Sequence, residues 1–327
     1  AFAIAFGTRH ADATEHQRGL MMAVAMESIV KLVAFLAAGL FITFVIFGGV
    51  GDLVSQAIES AYVQSRSPLR FDFATLTVFT LLSFCAIILL PRQFHVSVVE
   101  NHSMGELRTA RWLFPLYLVA INLFVVPVAV GGLLVFGDSV NADGYLLALP
   151  LQSEAIGLSY LVFIGGLSAA TAMVIVACVA LAIMISNNLV LPLMLRNRPR
   201  TDVVESGVRY SGMAANLLLI RRVSIFTILV LAWTYYRVAD DSAALISIGL
   251  LSFAAVAQFA PAFFIGLVWR RATAVSALAG MIAGFSVWTY TLVVPSLLAP
   301  DASLMVDVPF FFGFLRPQAL FGVYAAP

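Results

Sequence analysis

Two ionisable side chains lie four residues apart inside a long apolar stretch near the start of the chain. Glu27 and Lys31 are the only charged residues between positions 19 and 51. On an α-helix this spacing puts both groups on one face, and an acid on the N-terminal side is the better order for an ion pair. The pattern fits a gate or a relay for a coupling ion, because charges in apolar surroundings are costly and are usually functional. It also fits a self-neutralised pair that fixes helix packing.

Two hydroxyl residues lie on one face of a later apolar stretch. Ser168 and Thr171 are three residues apart and follow Gly165 and Gly166, small residues that permit close helix approach. Hydroxyl oxygens are suitable ligands for a hard cation such as Na⁺. The same hydroxyls can instead bond to the backbone of their own helix. The pair therefore predicts either an ion site or a packing surface.

Three further polar side chains lie next to prolines. Gln93 and His95 follow Pro91, and Gln258 precedes Pro261. Proline removes a backbone hydrogen bond and breaks or bends a helix, and transporters use such breaks to expose polar groups to a solute. Gln93, His95 and Gln258 are therefore the predicted solute-binding residues. The alternatives are an ordinary helix end at Pro91 and an interhelical clamp at Gln258.

No other metal site is predicted. Four potential ligands occur close together at His10, Asp12, Glu15 and His16, but no second cluster completes a site. The sequence contains no catalytic histidine box, ATP-binding glycine pattern or receiver acid cluster, so no catalytic site is predicted in this segment. The arginine clusters adjoin apolar stretches, where a role in topology explains them better than nucleic-acid binding does.

The elements that must position these residues are membrane-spanning helices. Hydrophobic residues make up 62% of the chain and charged residues only 11%, and runs of about 18 or more apolar residues are typical of bilayer spans. Because each span must satisfy its own backbone hydrogen bonds in lipid, we predict an all-α membrane protein with about seven transmembrane helices. The predicted spans cover residues 20–47, 73–95, 111–136, 155–190, 220–238, 243–269 and 272–299.

The loops between these spans alternate in charge. Alternate loops lie on the same side of the membrane. Of the 18 basic residues, 13 lie in the loops of one side, 4 lie on the opposite side, and Lys31 lies inside a span. By the positive-inside rule, the arginine-rich loops such as 195–222 face the cytoplasm, and the residues after position 300 lie outside.

These motifs together resemble the sodium:solute symporter family, the group of proline permease and sodium–sugar cotransporters. The predicted span 243–269, ending in the stretch 261–273, resembles the penultimate core helix of that family. Gln93-Phe94-His95 followed by Arg108 and Arg111 is similar to the end of its broken sixth core helix. The resemblance is closest to the symporter-like membrane input module of Cbr-type carbon-utilisation sensor histidine kinases. The phrases that carry it are Gly7-Thr8-Arg9-His10 with Glu15-His16, Glu27-Ser28 with Val30-Lys31-Leu32, Leu90-Pro91-Arg92-Gln93-Phe94-His95-Val96, Gly166-Leu167-Ser168-Ala169-Ala170-Thr171, Ser186-Asn187-Asn188-Leu189 and Leu315-Arg316-Pro317-Gln318-Ala319-Leu320-Phe321-Gly322.

The resemblance implies a LeuT-type inverted-repeat helix bundle, in a single transmembrane symporter-like domain that covers residues 1–327. The first predicted span resembles core helix five, the next five spans resemble core helices six to ten, and the seventh is a peripheral helix. Core helices one to four are then missing, so we expect the chain to be a fragment.

The resemblance also implies a function. We expect transport of a small, amino-acid-like organic solute by alternating access in a bacterial inner membrane. Sodium coupling stays open, because the family's adjacent hydroxyl pair corresponds here to Ala170-Thr171, and Ser168 would have to replace the lost hydroxyl; no other cofactor is implied. The alternative is a solute-sensing input domain whose partner is a histidine kinase region later in the same chain. In both cases the partners include the lipid bilayer and the solute, and no nucleic acid.

Overall fold

The computed structural model describes most of the apolar part of the chain. The described residues are 18–66, 73–101, 103–137, 139–196, 207–238, 245–269, 271–294, 305–306 and 314–315. The potential cation ligands at 10–16 lie outside the described residues, as do the resembling phrases at 7–16 and 316–322.

The described residues are almost entirely helical. The α-helices are α1 (Arg18–Phe41), α2 (Val50–Glu59), α3 (Ala61–Arg66), α4 (Phe73–Leu89), α5 (Pro91–Phe94), α6 (Met104–Asn122), α7 (Val125–Phe136), α8 (Tyr145–Gln152), α9 (Ile156–Met184), α10 (Leu191–Arg196), α11 (Gly207–Val238), α12 (Leu245–Ala257), α13 (Ala260–Val268) and α14 (Ala274–Trp288). A short 3₁₀-helix covers Ala142–Gly144, and β1 (Met305–Val306) pairs in parallel with β2 (Phe314–Leu315).

Several helices end in a π-helical segment, in which the hydrogen bonds reach one residue further than in an α-helix. These segments are Ile42–Ile46, His95–Val99, Ile185–Val190 and Thr289–Val293. Each segment begins at the residue after an α-helix ends, so the helical structure continues beyond the last α-helical residue.

The prediction of an all-α membrane protein is confirmed within the described residues, and six of the predicted spans are found as single helical stretches. Six helical stretches there are long and apolar enough to cross a bilayer, and a bent pair of helices provides a seventh candidate. The bent pair is Leu76–Leu89 with Pro91–Val99, at an angle of 49°. The chain is therefore a multi-pass α-helical membrane protein. The six stretches are Gly19–Ile46, Met104–Phe136, Ile156–Met194, Asn216–Arg237, Ile248–Val268 and Ala274–Val293.

Some helices extend further than the predicted spans. α6 begins at Met104 rather than at residue 111, because the Ser103 hydroxyl accepts a hydrogen bond from the Glu106 backbone N–H (3.3 Å) and caps the helix. α11 begins at Gly207 rather than at residue 220. Helical hydrogen bonding does not stop where the apolar sequence stops, so hydropathy alone sets these starts too late.

The chain divides into two compact units, the first formed by residues 1–69 and 96–228. In this unit α1 and α9 pack backbone against backbone. A Cβ atom added to Gly165 of α9 would lie 2.5 Å from the Cβ of Ala34 in α1, and Ala38, one turn further along α1, is completely buried. The predicted close helix approach at Gly165 is confirmed.

The short helix α8 is fixed against α7 in the same unit. A Cβ atom on Gly132 would lie 2.0 Å from the Tyr145 ring, and the Tyr145 hydroxyl donates a hydrogen bond to the Gly137 carbonyl (3.0 Å). Leu149 on α8 is 1% exposed. The connection between α7 and α9 is thus part of the packed core of this unit.

The second unit consists of residues 70–95 and 229–327. The Phe84 ring of α4 stacks on the Phe264 ring of α13, with centroids 5.6 Å apart. α14 begins with a capping box, in which the side chains of Thr273 and Ser276 each accept a hydrogen bond from the other's backbone N–H.

Candidate functional site

The first polar cluster lies where α1 meets α6 and α9. The Tyr117 hydroxyl of α6 donates to the Ser28 carbonyl (3.3 Å), and the Lys31 Nζ atom lies 5.8 Å from the centroid of the Tyr117 ring. From α9, the Ser168 hydroxyl donates to the Glu27 carbonyl (3.5 Å). The structure therefore brings together three of the predicted residues, Glu27, Lys31 and Ser168.

The Glu27 carboxyl differs from its polar neighbours in its hydrogen bonding. Its Oε2 atom is buried and has no hydrogen-bond partner among the described residues. The nearby hydroxyls do not donate to it, because Ser28 donates to the Val24 carbonyl (2.9 Å) and those of Tyr117 and Ser168 donate to carbonyls of α1. This carboxyl oxygen is an acceptor that a ligand donor could satisfy.

The two hydroxyls of the predicted ion site have different surroundings. Ser168 is half-buried against α1, whereas Thr171 is exposed. The Thr171 hydroxyl donates to two carbonyls of its own helix, those of Leu167 (2.9 Å) and Ser168 (3.0 Å). This bonding is what the packing alternative predicts, since a helical threonine commonly bonds back to the preceding turn.

The break in the second candidate span positions two predicted solute ligands. α4 ends at Leu89, Leu90 adopts an extended ψ of 128°, and Pro91 starts α5. Proline suits the first turn of a helix, where its missing N–H is not needed. Gln93 is half-buried and His95 is 4% exposed. Both side chains thus follow directly after the 49° bend.

Gln258 lies at a second interruption, between α12 and α13. Its Nε2 atom donates to the Ala254 carbonyl (3.0 Å). Its side chain also lies against α14, where a Cβ atom on Gly284 would be 2.6 Å from the Oε1 atom. In this conformation the Gln258 amide is hydrogen-bonded within its own helix and packs against α14, so these contacts favour a packing role over solute binding.

The predicted site residues are divided between the two units. Glu27, Lys31, Ser168 and Thr171 belong to the first unit, and the second unit holds the predicted solute ligands, which are Gln93, His95 and Gln258. Among the described residues, no group of three or more His, Cys, Asp or Glu side chains could hold a metal ion.

Two polar contacts were not predicted from the sequence. The first is Tyr117, whose phenol in an apolar span is a signal that could have identified it. The second is Arg221, which lies where the predicted arginine-rich loop 195–222 overlaps the start of the predicted span 220–238. It is 2% exposed, and its Nη2 atom donates to Asn187 Oδ1 (3.3 Å) beside the fully buried Ser186. Its position at the start of an apolar stretch gave no indication of burial.

Comparisons of the chain with protein-family models, with curated proteins and with solved structures find no match.

Proposed function

We propose that this protein transports a small, amino-acid-like organic solute across a bacterial inner membrane by alternating access, with the arginine-rich loops in the cytoplasm. The observation that carries the proposal is the 49° bend of the second candidate span, with Gln93 and His95 immediately after it. Broken helices inside a bilayer occur where protein or a cavity surrounds the freed backbone, and they form the binding sites of transporters. In this proposal the described spans belong to a LeuT-type inverted-repeat bundle.

The polar cluster of the first unit supports the same function. Glu27, Lys31 and Tyr117 lie in apolar spans, where ionisable and hydrogen-bonding groups usually mark a pathway for solutes or ions. The buried Oε2 atom of Glu27, which has no hydrogen-bond partner among the described residues, can accept a hydrogen bond from a solute.

The proposal predicts saturable uptake that depends on the residues at the break. The full-length protein, purified and reconstituted in liposomes, should take up at least one of the twenty radiolabelled amino acids. Gln93→Ala and His95→Ala should each raise the half-saturation concentration about tenfold, since a lost hydrogen bond to a ligand is worth about 1–1.5 kcal/mol. Gln56→Ala is the control, because Gln56 is exposed on α2.

Two results of this experiment would change the proposal. Uptake that is unaffected by Gln93→Ala and His95→Ala would remove these residues from the binding site. Saturable binding without uptake would favour the second candidate function, a solute-sensing input domain for a histidine kinase. That candidate is favoured by the resembling phrases, and it needs no coupling ion.

We expect uptake to be independent of sodium. Ser168 is half-buried against α1 and Thr171 is exposed, so their oxygens lie in different surroundings, and Ala170 offers no hydroxyl beside them. Replacing Na⁺ by choline should therefore change the uptake rate less than twofold, and Thr171→Ala should leave it unchanged. A drop of more than tenfold without Na⁺, which Thr171→Ala reproduces, would instead establish a sodium site on α9.

A further inference from the structure

The helix interruption between α12 and α13 has an unusual pattern of hydrogen bonds. Pro261 has no N–H, so it cannot donate to the Ala257 carbonyl as a regular helix would. The backbone N–H groups of Gln258 and Phe259 donate to carbonyls three residues back, those of Ala255 (3.2 Å) and Val256 (3.0 Å). The regular α-helical pattern resumes where the Phe263 N–H donates to Phe259 (3.0 Å).

The Gln258 side chain compensates for this shift. Because its backbone N–H bonds to Ala255, the Ala254 carbonyl loses the donor that an α-helix would supply. The Gln258 Nε2 atom donates to that carbonyl instead (3.0 Å). Ala254 is 8% exposed, and an unsatisfied carbonyl there would be costly. The glutamine amide thus stabilises the interrupted form of the helix.

α14 contacts both the interruption and the helix α12 that precedes it. Trp288 donates from Nε1 to the Leu251 carbonyl of α12 (3.1 Å). One turn earlier, Gly284 leaves room for the Gln258 amide, since a Cβ atom there would lie 2.6 Å from Oε1 and 3.5 Å from Cβ. Between them, the Phe285 ring packs edge-on against Phe259, with centroids 5.2 Å apart. Gly284 and Trp288 are four residues apart, so both face α12.

We propose that α14 is a lock that holds the hinge at Gln258 and Phe259 in its interrupted form. In this form the Gln258 amide is bound to its own helix, so Gln258 is a positioning residue and not a solute ligand. Release of the lock returns the Gln258 N–H to the Ala254 carbonyl and frees the amide. This inference does not depend on the proposed transport function, because it concerns only contacts within the second unit.

Hydrogen exchange measured by mass spectrometry tests the lock in the purified full chain. Gly284→Ala displaces the Gln258 amide, and Trp288→Phe removes one hydrogen bond while keeping an aromatic ring. In both variants, the backbone amides of a peptide covering 254–263 should exchange about five- to tenfold faster. The reason is that one hydrogen bond fewer must break when this segment opens locally, so the free energy of local opening is lower. Gly280→Ala is the matched control, since a Cβ atom there meets nothing within 4 Å.

The outcomes separate a lock from general destabilisation. Exchange in a peptide covering 76–89 should stay unchanged in all three variants. If Gly284→Ala accelerates exchange throughout the chain, that variant is generally destabilised, and only the Trp288→Phe result tests the lock. Unchanged exchange over 254–263 in Trp288→Phe would overturn the proposal. Adding Gln258→Ala to Gly284→Ala should relieve the steric conflict and restore stability, yet the hinge should still exchange fast because the amide that caps Ala254 is gone.

Discussion

Replacing Gly165 by alanine is expected to destabilise the first unit by about 1–2 kcal/mol. The new Cβ atom would lie 2.5 Å from the Ala34 Cβ atom and 3.7 Å from the Lys31 Cα atom. Neither neighbour is the end of a flexible side chain, so α1 and α9 must separate. Overpacking of this kind costs about 1–3 kcal/mol or more, and the higher helix propensity of alanine offsets only about 1 kcal/mol. Thermal unfolding in detergent measures the change.

The adjacent glycine provides the control for this prediction. Gly166→Ala adds the same methyl group to the same helix, but it meets nothing within 4 Å, so stability should stay the same or rise slightly. Adding Ala34→Gly to Gly165→Ala removes the conflicting Cβ atom and should restore most of the lost stability. Equal melting temperatures for Gly165→Ala and Gly166→Ala would mean that the two helices are not in contact at this position.

Neutralising either charge of the first span is expected to lower stability by about 2 kcal/mol. Glu27→Gln and Lys31→Met each leave one net charge on a helix that crosses the bilayer, where a single charge costs about 2.5–3.5 kcal/mol at the centre and less when half-buried. The double variant removes both charges and should recover most of the loss, because neighbouring residues are not additive. Glu59→Gln, at an exposed position on α2, should have no effect.

Uptake by the double variant then distinguishes the two roles considered for this pair. A stable but inactive double variant would identify Glu27 and Lys31 as part of an ion relay, and a stable and active one would identify a packing pair. If the double variant lost as much stability as the two single variants combined, the charges would act independently, and the pairing would be wrong.

The spans were predictable because their signal is local. A long apolar run needs no information about the rest of the fold, and Pro91 marks a break wherever it occurs inside such a run. The observed bend at Leu90 follows from Pro91, the next residue in the chain.

The roles of the polar side chains were less predictable, since they depend on distant partners. Ser168 donates to a carbonyl 141 residues away in sequence, and Tyr117 to one 89 residues away. Trp288 reaches across 37 residues to Leu251. A sequence pattern can state that Gln258 needs a hydrogen-bond partner, but it cannot choose between a solute and the preceding turn of its own helix.

The π-helical segments change the phase of the rods that contain them. Each successive residue turns a helix by about 100°, so a single inserted residue rotates everything beyond it by roughly that angle. Residues before and after Ile185–Val190 that share a stripe on an ideal helical wheel therefore point in different directions. Substitutions intended for one face of α9 and α10 therefore cannot be chosen at a constant spacing of three or four residues across this segment, because those in α10 would lie on a different face.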